Sequence, residues 1–251
     1  IRKQVMWGIV LIVVGLLGYG IAWAQPFVFR PALVPGQDAI TDAASARARV
    51  SLDDVGGRVL SIRPETSDGD LLLVLYPGGL VRPQAYEWLG RALAEQSVQT
   101  VIPEFFADLA VTGKDRADAL IAHYAAGRTV VIGGHSLGGA MAADYASRHA
   151  DKLSGLILLA AYPADGIDLT GTTFASLALM GENDQVAAAS AVRGGLAQLS
   201  PTSTLEVIPG SAHAFFGRYG PQAGDGIPSV DRASAEQAII ERVVAYLGER
   251  R

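Results

Sequence analysis

Residues 129–140 read TVVIGGHSLGGA and pass from an apolar run into a series of small residues. The apolar run predicts a buried β-strand, and the small-residue continuation LGGAMAADYASRH predicts an α-helix. Between the two, residues 134–138 match the pattern G-x-S-x-G, in which a strained turn projects the oxygen of its serine, here Ser136, above the sheet. Gly134 and Gly138 lack the Cβ atoms that would collide in so tight a bend. This stretch therefore predicts a strand, a turn that carries a nucleophile, and a helix.

The alternation of strands and helices continues on both sides of this stretch. Seven runs have the composition of strands, and several of them are continuously apolar, as expected where both faces of a parallel sheet are buried. The predicted strands are Arg58–Arg63, Leu71–Tyr76, Val98–Ile102, Thr129–Ile132, Leu156–Ala160, Ser176–Met180 and Thr204–Ile208. The predicted helices lie near 84–96, 114–126, 137–149, 186–199 and 232–248. The pattern predicts the α/β fold class, with a mainly parallel sheet covered by helices on both faces.

The first 24 residues differ in composition from the rest of the chain. Residues 5–24 include no charged side chain, and about 20 apolar residues in a helix span the hydrocarbon layer of a membrane. Arg2 and Lys3 precede the run, which places the N-terminus in the cytoplasm and the following domain outside. The alternative is a signal peptide cleaved after the A-x-A sequence at 22–24, although signal peptides usually have a shorter apolar region. We expect an uncleaved single-pass anchor in the cell membrane, or a secreted domain if the segment is cleaved.

Residues 25–50 join this segment to the rest of the chain. They contain Pro26, Pro31 and Pro35, followed by the small-residue stretch DAASARA, and this pattern predicts a stalk that leads into a short helix. Residues 51–251 are expected to form one domain, because no repeat, low-complexity tract or second boundary interrupts the alternation.

The composition excludes several classes of function. The chain has 251 residues and a formal net charge of −5, without a basic patch of the kind that binds nucleic acid. It contains no cysteine, which rules out a thiol nucleophile and a cysteine-ligated zinc. Its four histidines include no His-x-x-x-His pair, so we expect neither a metal nor another cofactor.

One of the four histidines fits the base that a serine nucleophile needs. In the G-x-S-x-G arrangement, an acid and then a histidine follow the serine along the chain. His123 precedes the turn, and His149 precedes every plausible acid. His135 lies inside the turn and is expected to point away from the nucleophile. His213 remains, on a loop directly after the predicted strand Thr204–Ile208.

Asp184 is the predicted acid that orients this base. It lies in LALMGENDQVA, just after a predicted strand and before a helix. Glu182 is two residues away and is an alternative, and Asp165 and Asp168 follow the preceding strand, where such an acid is also found. Asp184 is the first choice because the glycine and asparagine beside it can form a turn that points its side chain inward.

Two backbone N–H groups are expected to stabilise the negative charge that develops on a substrate oxygen. One is the N–H of Leu137, directly after the nucleophile. The second should come from a glycine-rich loop after an earlier strand, and the sequence YPGGL at 76–80 meets that description. Gly79 is the first choice in this loop, and Leu80 is the second.

The chain resembles the α/β-hydrolases. The resemblance rests on GHSLGG, GEND and SAH in this order, and it extends over about residues 58–248. Two segments, YPGGLVRPQAYEWL and HAFFGRYGPQAGDG, are similar to those of a narrower group of bacterial, often membrane-anchored hydrolases, which resemble dienelactone hydrolases in lacking a lid. Dienelactone hydrolases use a cysteine where this chain has Ser136, which argues against a dienelactone substrate. The resemblance implies an α/β-hydrolase fold and a serine hydrolase.

The connection in which many lipases carry a lid is short in this chain. About 14 residues separate the predicted strand that ends near Ala161 from the one that begins at Ser176, too few for a cap domain. We therefore expect an open site without a cap. The Gly- and Pro-rich stretch Gly217–Pro228, directly after His213, forms either one wall of that site or a structural loop that closes onto the last helix.

Taken with the resemblance, these features predict a hydrolase that cleaves carboxylic esters through a Ser-His-Asp triad and an acyl-enzyme. The same triad would serve an acyltransferase, in which an alcohol or amine replaces water. A catalytically silent binding module on the same fold is the third alternative, against which the intact serine, acid and histidine argue. The expected partners are a small-molecule or lipid-like ester and, through the N-terminal helix, a membrane.

Overall fold

An eight-stranded sheet lies at the centre of the domain in the computed structural model, which describes residues 2–28 and 47–251. The strands are β1 (Ala48–Asp54), β2 (Arg58–Pro64), β3 (Leu71–Tyr76), β4 (Val98–Pro103), β5 (Thr129–His135), β6 (Gly155–Leu159), β7 (Ser176–Gly181) and β8 (Thr204–Ile208). Their order across the sheet is β1-β2-β4-β3-β5-β6-β7-β8. β2 pairs antiparallel with β1 and with β4, and the remaining pairs are parallel. The prediction of a mainly parallel sheet is confirmed, and the seven predicted strands are all present.

The central strands are apolar at nearly every position because both of their faces are buried. In β3, Leu71, Leu73 and Leu75 belong to the core on one face of the sheet. Leu72 and Val74 belong to the core on the opposite face, since successive side chains of a strand alternate between faces. This double burial explains why these strands read as continuous apolar runs.

The described residues contain six α-helices, which flank the sheet or precede it. They are α1 (Arg2–Val28), α2 (Glu87–Ala94), α3 (Arg116–Tyr124), α4 (Leu137–Arg148), α5 (Ala189–Gly195) and α6 (Arg232–Gly248). α2 and α6 contribute to the first core and α3 and α4 to the second. α5 packs against β7 through Val192 and Met180. The five helices predicted within the domain are therefore present, and they cover both faces of the sheet.

β1 is absent from the predicted strands because its sequence, ARVSLDD, contains no apolar run. It forms an edge of the sheet and pairs with β2 alone, and its side chains are half-buried or exposed. Edge strands of this kind carry polar residues and lack the signal of a buried strand. β1 begins at Ala48, inside the predicted stalk 25–50, so the domain starts before residue 51. Most of that stalk, including its predicted short helix, falls at 29–46, outside the described residues.

α1 forms a unit of its own, separate from the domain. It continues to Val28, beyond the predicted limit at residue 24. Within it, Lys3–Trp23 comprises 21 residues with a mean hydropathy of 2.3, and none of this segment is buried. A helix of that length spans about 30 Å, the thickness of the hydrocarbon layer. Its length and composition suit a membrane anchor, and an N-terminal signal sequence has the same properties.

The connection from β6 to β7, residues 160–175, consists of turns and extended backbone without a helix. Leu169 and Phe174 are buried in the second core and hold the connection against the domain. The N–H of Leu169 also donates a hydrogen bond to the Gln198 carbonyl, 2.8 Å away. This connection therefore supplies no helical cap over the carboxyl ends of the parallel strands.

Candidate active site

Ser136 lies between the end of β5 and the start of α4, at the carboxyl edge of the sheet. Its backbone has φ 51° and ψ −123°, a conformation that residues other than glycine seldom adopt. The turn is fixed from one side, because the Ser136 N–H donates a hydrogen bond to the Leu159 carbonyl of β6, 3.0 Å away. The residue is half-buried.

The glycines of the G-x-S-x-G pattern are required by close backbone approaches. A Cβ atom at Gly134 would lie 2.3 Å from the carbonyl carbon of Gly138. A Cβ atom at Gly138 would lie 2.2 Å from the carbonyl oxygen of Pro77, in the loop after β3. Both distances are far below van der Waals contact. Gly134 therefore allows the turn to close on itself, and Gly138 allows it to lie directly against the Pro77 loop.

His213 and Asp184 form a buried pair on two neighbouring loops, which follow β8 and β7. The Nδ1 atom of His213 lies 2.8 Å from Oδ2 of Asp184, and both side chains are almost wholly inaccessible to solvent. The other oxygen of Asp184, Oδ1, accepts hydrogen bonds from the N–H groups of Val186 and Ala187, each at 2.8 Å. A carboxylate held in this way accepts the Nδ1 proton of the imidazole. The lone pair of a neutral His213 is then on Nε2, which is buried and has no hydrogen-bond partner in the described part of the chain.

The alternative acids bond elsewhere. Oε2 of Glu182 accepts a hydrogen bond from the Gly210 N–H, 2.8 Å away, which ties the acid loop to the start of the histidine loop. Asp168 is exposed and accepts hydrogen bonds from its neighbour Thr170. Asp165 is exposed on the same connection. Of the four predicted candidates, the structure therefore brings Asp184 to His213.

The three remaining histidines occupy different surroundings. His123 is exposed on α3, and His149 packs on Tyr145 at the end of α4. His135 is wholly buried, and its ring centre lies 4.7 Å from that of His213. Successive side chains of β5 point to opposite faces of the sheet, and His135 points to the face covered by α2 and α6. The loop after β8 packs on the same face, where the Phe216 ring stacks on that of His135. The His135 ring contacts that of the candidate base, a contact that the sequence did not predict.

The loop after β3 holds three successive N–H groups, of which the first and the third donate hydrogen bonds within the protein. The Gly78 N–H donates to the Tyr86 hydroxyl at 2.8 Å, and the Leu80 N–H donates to the Asp108 carbonyl at 2.7 Å. The Gly79 N–H between them has no hydrogen-bond partner among the described residues. Gly79 also lies against Leu137, because a Cβ atom added to it would be 3.2 Å from the Leu137 side chain. Leu80, the second choice for an oxyanion donor, is excluded because its N–H is already bonded.

Asp225 was not among the predicted site residues. Its Oδ1 atom accepts a hydrogen bond from the His213 N–H at 3.1 Å, and its Oδ2 atom accepts one from the Ala214 N–H at 2.9 Å. Asn183, beside the candidate acid, donates from Nδ2 to the Ile227 carbonyl at 3.1 Å. The Gly217–Pro228 stretch therefore bonds both to the acid loop and to the backbone of the candidate base. The one sequence signal for Asp225 was that it lies in HAFFGRYGPQAGDG, a segment that resembles those of related hydrolases.

The described residues include no group of three or more His, Asp or Glu side chains that could hold a metal ion. The site comprises a buried carboxylate–imidazole pair and, at the same carboxyl edge of the sheet, the half-buried Ser136. A set of this composition can activate an oxygen nucleophile, and an N–H without a partner, such as that of Gly79, can stabilise an oxyanion.

Solved structures of low sequence identity share this fold. A predicted CIB-like hydrolase from Thermoplasma acidophilum is 15% identical, with a TM-score of 0.62 over 80% of this chain and 97% of its own. Est1E from Butyrivibrio proteoclasticus is also 15% identical, with a TM-score of 0.58 over 80% of this chain and 99% of its own. A dienelactone hydrolase from Anabaena variabilis has the same identity and a TM-score of 0.62 over 81% of this chain and 99% of its own.

Sequence comparisons agree with the fold. Among curated proteins, none matches this chain in sequence. The model of the alpha/beta hydrolase family matches residues 72–237, well over half of the chain, from β3 into α6. That region includes the nucleophile turn, the candidate acid and the candidate base. The chain therefore belongs to the alpha/beta hydrolase family.

Proposed function

We propose that the protein is a serine hydrolase that cleaves carboxylic esters, with Ser136 as nucleophile, His213 as base and Asp184 as the acid that orients the base. The observation that carries the proposal is the buried His213–Asp184 pair, which leaves Nε2 of the imidazole as the only ring nitrogen free to take a proton. The strained turn at Ser136 and membership of the hydrolase family support the same assignment.

In the first half of the reaction, Ser136 Oγ forms a bond to the carbonyl carbon of the ester while its proton passes to Nε2 of His213. Asp184 stabilises the imidazolium that results, through the hydrogen bond at Nδ1. The carbonyl oxygen becomes an oxyanion, which the N–H groups of Leu137 and Gly79 would bind. The bond to the leaving alcohol then breaks, and the proton on Nε2 passes to the alkoxide oxygen. An acyl-enzyme remains.

In the second half, water replaces the alcohol. His213 takes a proton from the water as its oxygen attacks the acyl carbon, and the same N–H groups stabilise the second oxyanion. The bond to Ser136 breaks, and Oγ recovers the proton from Nε2. The products are a carboxylic acid and the enzyme in its starting state.

An apolar ester is the substrate class that the exposed side chains on the loops after the parallel strands favour. Exposed apolar side chains are found on loops that follow four parallel strands and reach the carboxyl edge of the sheet, namely Phe106, Val111, Tyr162, Val186 and Ile227. Phe106 and Ile227 are 83% and 87% exposed, far more than large apolar residues usually are. Side chains of this kind supply contacts for an acyl chain or a lipid-like alcohol.

We also propose that α1 anchors the domain to the cell membrane from the extracytoplasmic side. The apolar length of Lys3–Trp23 supports a transmembrane position, and Arg2 and Lys3 at its start support a cytoplasmic N-terminus. Cleavage after residue 24 would instead release the domain, and the N-terminal sequence of the protein recovered from cells distinguishes the two outcomes.

The function is tested with the full chain in detergent and a series of p-nitrophenyl esters of increasing acyl length. We expect turnover with a preference for medium or long acyl chains, and stoichiometric labelling by a fluorophosphonate at the peptide that contains Ser136. Hydroxylamine added as a competing acceptor reports the acyl-enzyme by diverting product to the hydroxamate. Absence of both turnover and labelling in the folded protein would exclude a serine hydrolase.

A further inference from the structure

A buried hydroxyl connects the nucleophile turn to the loop that carries the second oxyanion donor. The Tyr86 side chain, at the start of α2, lies between Gly78 and His135. Its Oη atom is 2.8 Å from the Gly78 nitrogen and 2.9 Å from Nδ1 of His135. The side chains of Tyr86 and His135 are wholly inaccessible to solvent, so water cannot replace either hydrogen bond.

The chemistry of the three groups fixes the direction of these hydrogen bonds. The Gly78 N–H can only donate, so the Tyr86 oxygen accepts from it. A buried hydroxyl almost always finds an acceptor, and Nδ1 of His135 is the remaining partner of Tyr86 in the described part of the chain, so the hydroxyl donates to Nδ1. Burial raises the pKa of the Tyr86 hydroxyl well above its ordinary value, which keeps that hydrogen in place. Burial, and then the nearness of His213, lowers the pKa of His135 well below its ordinary value. His135 is therefore neutral and can accept at Nδ1.

The contact between Gly78 and His135 is too close for any side chain at residue 78. A Cβ atom there would lie 2.7 Å from Nδ1 of His135 and 3.0 Å from the Tyr86 hydroxyl. Gly78 precedes Gly79, and His135 precedes Ser136. The hydroxyl of Tyr86 therefore joins the residue before the candidate oxyanion donor to the residue before the nucleophile.

We propose that Tyr86 and His135 are positioning residues, which hold the Gly79 N–H at a fixed place relative to Ser136 through the Gly78–Tyr86–His135 hydrogen bonds. The inference rests on the proposed function, since it concerns the oxyanion site of that reaction. Neither side chain needs to touch the substrate. Without the Tyr86 hydroxyl, the Gly78 N–H is buried without a partner, and the loop must shift to satisfy it.

Tyr86→Phe tests the proposal directly, because it removes one oxygen atom and preserves the ring. Complete loss of an oxyanion donor lowers kcat by about 100- to 1000-fold, and a displaced donor loses part of that, so we expect a fall of about 10- to 100-fold. KM should change less than about threefold, because the interaction is made in the transition state. Tyr246→Phe is the matched control. Its buried hydroxyl accepts a hydrogen bond from the Leu156 N–H at the start of β6, at the opposite end of the strands from Ser136.

A pair of changes at His135 separates positioning from packing. Asn at 135 places its Oδ1 near the position of Nδ1 and can accept from Tyr86, whereas Leu fills the space without an acceptor. We expect His135→Asn to retain most of the activity and His135→Leu to lose about as much as Tyr86→Phe. A trifluoromethyl ketone, which forms an oxyanion on Ser136, should bind Tyr86→Phe and His135→Leu more weakly by the same factor as kcat/KM falls.

The outcomes distinguish this inference from the function on which it rests. If the wild-type protein neither cleaves esters nor takes the fluorophosphonate, the proposed function fails. If the wild type is active and Tyr86→Phe keeps its kcat and its ketone affinity, the positioning role is wrong. The role is also wrong if His135→Asn and His135→Leu lose activity equally, or if Tyr246→Phe loses kcat as much as Tyr86→Phe does while all variants remain folded by circular dichroism.

Discussion

The candidate acid–base pair, Asp184 and His213, and the candidate nucleophile, Ser136, lie in different surroundings. Asp184 accepts three hydrogen bonds, from Val186, Ala187 and His213, and both members of the acid–base pair are buried. By contrast, Ser136 is half-buried and the Gly79 N–H has no partner in the described part of the chain. Both residues are partly exposed, so the Gly79 N–H and the Ser136 hydroxyl are available to a bound ligand under the proposed function. The hydrogen bonds of Asp184 hold His213 in one orientation, whereas Ser136 and Gly79 remain accessible to a ligand.

The largest effect is expected from Ser136→Ala. The change removes only the hydroxyl oxygen, so the fold should persist while kcat for the best ester falls by about 10⁴- to 10⁶-fold. Fluorophosphonate labelling should disappear with it. Wild-type turnover in this variant would exclude Ser136 as the nucleophile. The contrast drawn between Ser136 and the His213–Asp184 pair would then have no bearing on catalysis.

The next largest loss of activity is expected from a change at Asp184, which orients His213 in the proposed mechanism. Asp184→Asn can no longer accept the Nδ1 proton in the same way and favours the wrong tautomer of His213, so kcat should fall by about 10³- to 10⁴-fold. Glu182→Gln is the control, two residues away on the same loop and bonded to Gly210 instead. We expect it to stay within about threefold of wild type. The reverse ranking would transfer the role to Glu182.

A smaller loss of kcat is expected from a change at Asp225, which binds the backbone of the candidate base. Asp225→Asn weakens the hydrogen bonds that hold the His213 and Ala214 N–H groups, so kcat should fall by about 5- to 20-fold with little change in KM. Asp168→Asn is the matched control, since it also changes a carboxylate that bonds to a nearby backbone N–H, in an exposed turn. It should leave kcat within about twofold. Equal losses in the two variants would show that Asp225 has no special role in orienting the base.

The smallest effect on catalysis is expected from removal of α1. The candidate site residues and their hydrogen-bond partners lie between residues 78 and 225, so the deletion removes none of them. Turnover of a soluble ester should stay within about twofold, measured on protein of confirmed fold. The full-length protein should fractionate with membranes and resist high-salt extraction, because apolar burial does not depend on ionic strength. Extraction of the full chain by salt alone would contradict the anchor.

The sequence was informative wherever the signal was local. Buried strands such as β3 are apolar at every position, and the nucleophile turn has its own pattern, so both could be predicted from short stretches. β1 could not, because an edge strand with exposed charged residues has no such run. The positioning roles proposed for Tyr86 and His135 depend on a contact between residues 49 positions apart, which no pattern in either segment encodes. The same holds for Asp225, whose effect on His213 is visible only once the loop has folded.

The backbone at Ser136 has a further consequence for the evolution of this protein. Its positive φ is a conformation that glycine adopts readily and that costs other residues about 1 kcal/mol or more. Glycine at this position would fit the turn and relieve that cost, but it would abolish the proposed chemistry. Selection for stability and selection for activity therefore favour different residues at position 136. A serine there is maintained only while its hydroxyl is used, and its replacement by glycine in a descendant would mark the loss of the reaction before any loss of the fold.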